Sequence, residues 1–223
     1  MKKNVWLLSL ILLFASHLSI YGNVVTADSD SIRMRQVFAE MPDSILGILT
    51  KYNRLDCIDF IENNLPAKVE NRLGGQTELK CLTEDYLSLQ LTVSSRVEMK
   101  LLPETDGNYY ICMARTYSGP IPETTLKLYR QDWTEVEGNK WLKRPEYDDY
   151  WQMPDSVSES DVKRWKQMQD MYLIEVTLSA DSRSIIFTLQ PGEVEYGEAE
   201  KMKSVLRPIF FVWNGRRFER QDS

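Results

Sequence analysis

From Leu87 onward, apolar and polar side chains alternate one by one. Leu87, Leu89, Leu91 and Val93 are interleaved with Ser88, Gln90 and Thr92, and Val97, Met99 and Leu101 with Glu98 and Lys100. A period of two belongs to strands, because successive side chains leave on opposite faces. The same texture continues after the Asp106-Gly107 turn, over 109–116, and after the proline-rich bend at 119–122, over 124–130. Strict alternation predicts a sheet with one wet face and one buried face. The buried face then needs a covering layer, which the helical segments supply. The expected fold class is α+β, with helices packed on antiparallel sheet.

The helical segments lie on either side of this run. Residues 28–40 read as a polar lead-in, and helical pattern begins at Met41-Pro42-Asp43-Ser44, with Ile45, Ile48 and Leu49 as its stripe. Proline suits a first helical turn, and aspartate or serine can cap free N–H groups. Asn53 caps a second helix carrying Leu55, Ile58, Ile61 and Leu65, and Pro66 stops it. Gly74-Gly75 marks a turn. Further along, a helix is expected over 159–168, with Ser158 and Asp161 as a capping box. Strands follow over 172–178 and 184–190, then a helix over 198–206. A strand over 209–213 and the Asn214-Gly215 turn lead into a short return strand. Asn-Gly is the strongest hairpin signal in the chain.

Organisation follows from these segments. Residues 1–22 read as an export signal, with cleavage as late as 27: Lys2 and Lys3 precede an apolar run of about ten residues, too short to span a bilayer core of ~30 Å. Residues 28–132 form an N-terminal α+β half, 133–158 a connecting loop rich in aromatic and acidic residues, and 159–223 a C-terminal α+β half. Met41-Pro42-Asp43-Ser44 recurs as Met153-Pro154-Asp155-Ser156. The echo admits two readings: two related helix-plus-sheet halves, or helix-starting chemistry used twice.

Charge and residue usage narrow the function. The chain carries −6, and losing Lys2 and Lys3 with the signal leaves −8. An acidic surface repels phosphate backbones, so nucleic acid is not an expected partner. Arg207, Arg216, Arg217 and Arg220 form a local basic cluster near the C-terminus, read as a solvated hairpin face. The single histidine, His17, lies inside the export signal. That removes imidazole-based triads and most catalytic zinc sites from the mature chain. Cys57, Cys81 and Cys112 are odd in number and have no metal-like spacing, so buried thiols are the default, with a disulfide between two of them as the other reading.

The remaining chemistry is sparse. Ser160 and Lys163 have the Ser-x-x-Lys spacing of serine acyl-enzymes, but the chain lacks the partner motifs that this mechanism needs. Glu146, Asp148, Asp149 and Asp155 cluster in the 133–158 loop without the framework of a calcium loop. Gly74-Gly75-Gln76 spells a tripeptide used in translation termination, a reading that export makes idle. Trp133, Trp141, Tyr147, Tyr150 and Trp151 are the candidate ligand-binding residues, because exposed rings stack on sugars and apolar ligands. The competing reading makes them anchors that tie a long loop to the core. No catalytic residue, metal ligand or cofactor is assigned.

Several segments together resemble a known family: Met41-Pro42-Asp43-Ser44, Asn53-Arg54-Leu55-Asp56 running into Ile58-Asp59-Phe60, residues 82–89 (Leu-Thr-Glu-Asp-Tyr-Leu-Ser-Leu) and residues 97–103 (Val-Glu-Met-Lys-Leu-Leu-Pro). The chain is similar over about 41–218 to exported proteins of anaerobic gut Gram-negative bacteria grouped as domain of unknown function 3256. The resemblance implies an envelope location and a shared fold, and carries no activity or catalytic residues. Low oxygen in such habitats suits free cysteines. The leading expectation is a non-catalytic periplasmic or secreted protein that binds a protein or cell-envelope component, with no membrane-spanning segment in its mature form. A small-ligand or glycan-binding protein using the aromatic loop is the alternative, and a carboxylate-based hydrolase the third.

Overall fold

The computed structural model describes residues 34–138, 140–169, 172–192 and 196–221. The export signal expected over 1–22, and His17 with it, lies outside the described residues. The chain enters through α1 (Met34–Glu40) and α2 (Lys51–Glu62). A six-stranded antiparallel meander follows: β1 (Lys68–Glu70), β2 (Gln76–Leu82), β3 (Tyr86–Thr92), β4 (Ser95–Pro103), β5 (Tyr109–Ser118) and β6 (Pro122–Tyr129), in that order across the sheet. The 133–158 connection contains one 3₁₀ turn, Tyr147–Tyr150. Then come α3 (Glu159–Met168), β7 (Leu173–Leu178), β8 (Ser184–Gln190), α4 (Tyr196–Val205), β9 (Ile209–Trp213) and β10 (Phe218–Gln221). These last four strands form a second antiparallel sheet in the order β10-β9-β8-β7. The fold is α+β.

The entry to the fold differs from the sequence reading. Residues 34–40 are helical, while 42–49 make tight turns instead of a helix. The signal was present: Met34, Val37, Phe38 and Met41 are spaced on one helical face, and all four are buried. Seven residues were too few for the pattern to stand out. Helix α2 is capped by Thr50, whose Oγ1 accepts from the Asn53 N–H at 3.1 Å, while the Asn53 side chain accepts from the Thr50 N–H at 3.1 Å. Asn53 is thus the third residue of a capping box and not the cap itself. Arg54, 1% exposed, holds the turns together. Its guanidinium donates to the carbonyls of Phe38 and Leu49, both at 2.9 Å, to that of Met41, and to Asp43 at 2.9 Å.

The larger difference concerns the first sheet. One face is covered by α1 and α2, where Leu87, Leu89, Leu91, Val97, Met99, Leu101, Ile111 and Met113 join the helix residues Phe38, Cys57 and Ile58. The other face, expected to be wet, is covered as well. Leu102, Cys112, Ala114, Leu126 and Leu128 pack in one core with Val176, Leu178, Ile185, Phe187, Ile209 and Phe211 of the second sheet. The two halves drawn from the sequence therefore share a core. Val93 also departs from its expected place: the register shifts between Gln90 and Thr92, and Val93 stands fully exposed at the β3–β4 hairpin tip.

Between the sheets, several polar residues meet partners. Lys100, 3% exposed, donates to Asp85 at 3.0 Å and to the Ala180 carbonyl at 2.8 Å. Arg96 donates to Glu175 at 2.7 Å, and Trp213 Nε1 to the Pro103 carbonyl at 2.7 Å. Thr124 Oγ1 accepts from the Val176 N–H at 3.0 Å. Glu98 accepts from the Tyr86 hydroxyl at 2.8 Å, with Arg96 3.9 Å away. Burial raises the Glu98 pKa despite both neighbours. The folded chain therefore keeps a proton that the unfolded chain releases, so stability falls as pH rises from about 4.5 through the raised value. Glu98→Gln is expected to melt higher than wild type near neutral pH, with the difference shrinking towards pH 4.5. Thermal denaturation at both pH values checks this, and a pH-independent difference would rule out a buried carboxylate as the cause.

Candidate functional site

Three of the five nominated aromatics turn inward. Trp141, Tyr150 and Trp151 are 9%, 0% and 8% exposed and belong to the core between the sheets. Tyr147 packs on the same core, edge to face with Trp151 at 5.7 Å, and its hydroxyl donates to Gln169 at 3.2 Å. Desolvation pushes the Tyr147 pKa up to about 12. Trp133 lies apart from these four, on the helix-covered face of the first sheet beside Tyr129. The structure brings four of the five together, but as packing groups with little ring surface left for a ligand.

What the buried rings do is place their neighbours. The Trp141 carbonyl accepts from the Phe218 N–H at 2.8 Å, Leu142 bridges Phe218 in parallel, and the Trp141 and Phe218 rings lie 6.4 Å apart. Residues 141 and 142 thereby continue the second sheet beyond β10. Flanking them, Lys140, Lys143 and Arg144 come alongside Arg217 and Arg220 of the hairpin. Between the two segments runs an open groove of about 1140 Å³, floored by Phe211 and Phe218. The β9–β10 turn is fixed by Asn214, whose Oδ1 accepts from the N–H groups of Arg216 and Arg217 at 2.9 and 3.0 Å. Gly215 has φ +99°, and an added Cβ would stand 3.0 Å from Thr105 Cγ2, so both conformation and space call for glycine there.

The groove contains acids, yet cations dominate. Arg220 pairs with Asp149 at 2.9 Å and Arg217 with Glu219 at 3.0 Å. The Arg220 hydrogen bond holds the Asp149 carboxyl below its ordinary range. Arg207 donates to the Asp149 carbonyl at 3.0 Å, which steadies the same wall. Lys140, Lys143 and Arg144 are exposed and have no carboxylate partner among the described residues. Arg144 makes one bond, to the Leu126 carbonyl at 3.3 Å. The sequence reading noted the arginines of the hairpin but not Lys140, Lys143 and Arg144. Their signal was the Lys-Trp-Leu-Lys-Arg run at 140–144, and what made it a site is the pairing of Leu142 with a residue 76 positions away.

The other nominated groups are accounted for locally. Ser160 and Lys163 are exposed, and the Ser160 hydroxyl lies 2.9 Å from the Ser158 hydroxyl at the start of α3. Ser158 caps that helix by accepting from the Asp161 N–H at 3.1 Å. Asp148 pairs with Lys166 at 2.6 Å, and Asp149 Oδ2 accepts from the Glu146 N–H at 2.8 Å. Asp155 is exposed. No group of three or more His, Cys, Asp or Glu side chains is gathered as a metal site among the described residues. Cys57, Cys81 and Cys112 are free thiols. Burial pushes the Cys57 thiol up to about 11, which keeps it protonated and unreactive.

Because Trp141 and Trp151 fill the core, truncation to alanine is expected to cost about 3–5 kcal/mol at each position. At this chain length that lowers the melting midpoint by about 10 °C. Trp141→Ala carries a second consequence: it loosens the strand pairing that holds Lys140 and Lys143 in the groove. Denaturant titration of both variants checks the stabilities, and a loss below about 1 kcal/mol would mean that the rings do not anchor the loop.

No helix among the described residues is long and apolar enough to cross a membrane. No curated protein matches the chain in sequence. Among solved structures, the chain is similar to a domain of an uncharacterized protein from Porphyromonas gingivalis W83. The likeness has 22% identity and a TM-score of 0.70, and covers 83% of this chain and 98% of that one. At that identity the likeness shows a shared fold. The family described as "Protein of unknown function (DUF3256)" matches residues 26–218, which takes in both helices of the N-terminal layer, the first sheet and the second sheet as far as the start of β10. The chain belongs to the DUF3256 family.

Proposed function

We propose that this chain is an exported, non-catalytic binding protein of the periplasm or cell exterior, and that the 140–149 segment and the β9–β10 hairpin form its binding surface for an acidic component of the cell envelope. One observation carries the reading: on a chain of net charge −6, cations from two distant segments converge on one groove, and three of them lack an acidic partner among the described residues. Like charges brought together cost free energy unless something opposite in sign comes to them. Chain-wide acidity repels polyanions from afar, but the groove acts at short range, within a Debye length of about 8 Å at physiological salt. The surface therefore suits a partner already held close by, as in an envelope compartment. The basic, apolar and small-residue order of residues 1–22 supports export.

Sedimentation with outer-membrane vesicles that carry lipopolysaccharide tests this. Wild type is expected to sediment with vesicles at low salt and to be released as salt rises. Reversing two charges together, Lys143→Glu with Arg144→Glu, should lower the affinity about tenfold or more. Arg216→Glu, on the same hairpin but outside the groove, should leave it nearly unchanged. Equal losses in all variants would reduce the effect to net charge, and no sedimentation of wild type would overturn the reading.

A further inference from the structure

On the helix-covered side of the first sheet, α1 and α2 stop short of the outer ends of β5 and β6. The uncovered floor is formed by side chains facing one another across the two strands, Met113 opposite Lys127 and Arg115 opposite Thr125, with Tyr117 beyond them. The 44–46 turn forms one wall, and the segment returning after β6 the other. Together they enclose a cleft of about 400 Å³, within the range of small-molecule pockets, about 300–1,000 Å³.

Its lining differs from that of the cationic groove. Arg115 forms no ion pair among the described residues, and its Nε is shut off from solvent without a hydrogen-bond partner. Its guanidinium lies 5.0 Å from the Tyr117 ring centre, and stacking of this kind presents the planar fork edge-on. Trp133 stands beside Tyr129 with ring centres 5.7 Å apart. Its φ is +66°, a left-handed conformation that bulky residues rarely adopt. Such strain concentrates at binding sites, where the surrounding structure holds it in place. Here the hold is visible: the Trp133 N–H donates to the Arg130 carbonyl at 3.0 Å and the Arg130 N–H to the Thr134 carbonyl at 2.9 Å. At the rim, Lys127 donates to Glu135 at 2.7 Å, a pair able to meet hydroxyl groups.

We propose that this cleft is a second binding site, independent of the groove, for a small molecule that joins one flat ring face to one carboxylate. Arg115 takes the carboxylate, because a guanidinium fork matches it with two parallel N–H···O bonds. The Trp133, Tyr129 and Tyr117 rings take the ring face, which either the C–H face of a sugar acid or an aromatic acid can supply. Trp133 is in this view the one nominated aromatic placed for recognition, and the backbone turn that strains it is what sets its ring on the cleft.

Isothermal titration with D-glucuronate and with phenylacetate tests both sources of that chemistry, each against its neutral counterpart, glucose or phenylacetamide. At least one acid is expected to bind at one site, and its neutral counterpart about tenfold or more weaker. Arg115→Gln and Trp133→Gly should abolish binding, and glycine suits the backbone at 133. Thr125→Trp removes no contact and fills the cleft from an exposed strand position, so it should block binding without unfolding the chain. The groove variant Lys143→Glu should bind as wild type. The proposal is overturned if neither acid binds more tightly than about 10 mM. It is equally overturned if binding survives Thr125→Trp or is lost in Lys143→Glu.

Discussion

Strands β4 and β5 are buried on both faces, and this double cover shapes everything else. A sheet with one wet face can place charge on it freely, whereas here Glu98 and Lys100 sit between two sheets. Each unpaired charge in such a place would cost several kcal/mol, so partners have to be brought from elsewhere in the chain. Lys100 draws in Asp85 and the turn at Ala180, and Arg96 draws in Glu175. The bonds to Ala180 and Glu175 span 80 and 79 positions of sequence and set where the second sheet lies on the first. The interface is a seam of specific pairs within an apolar core.

The sequence was legible wherever one segment sufficed to define an element. The period-two runs of β3 and β4, the Ser158 cap of α3 and the Asn214-Gly215 turn of the last hairpin all stand where local chemistry put them. It misled where the deciding partner was remote. Glu98 and Lys100 read as a wet face because solvated charges and charges buried with partners look the same in a sequence. Residues 42–49 read as a helix start because proline, aspartate and serine suit turns as well as helix ends. What settles the matter is Arg54, whose side chain answers the carbonyls of Phe38 and Met41 ahead of those turns and of Leu49 at their end, and so takes up backbone acceptors that a helix would have used.

The groove was half legible. Arg217 and Arg220 stood out near the C-terminus, while Lys140, Lys143 and Arg144 were masked by the aromatic residues among which they sit. Rings and cations in that loop divide the labour. Trp141, Tyr150 and Trp151 supply the buried area that fixes a long irregular connection, and the residues between them are left free to face solvent. A loop without regular secondary structure can in this way hold exposed charge in a defined place, because its backbone is pinned at every few residues. Trp133, at the start of the same loop, packs instead against the helix-side core beside Tyr129, from a strained backbone.

The hairpin of β9 and β10 has one further consequence, which concerns time. Residues 141 and 142 have no strand to pair with until Phe218 exists. A chain made from its N-terminus presents the helical layer and the first sheet well before that point. The groove is thus completed only after the residues of the first layer have been made. A chain that stopped before β10 would lack one wall of the groove, so that surface exists only where both remote segments have been made.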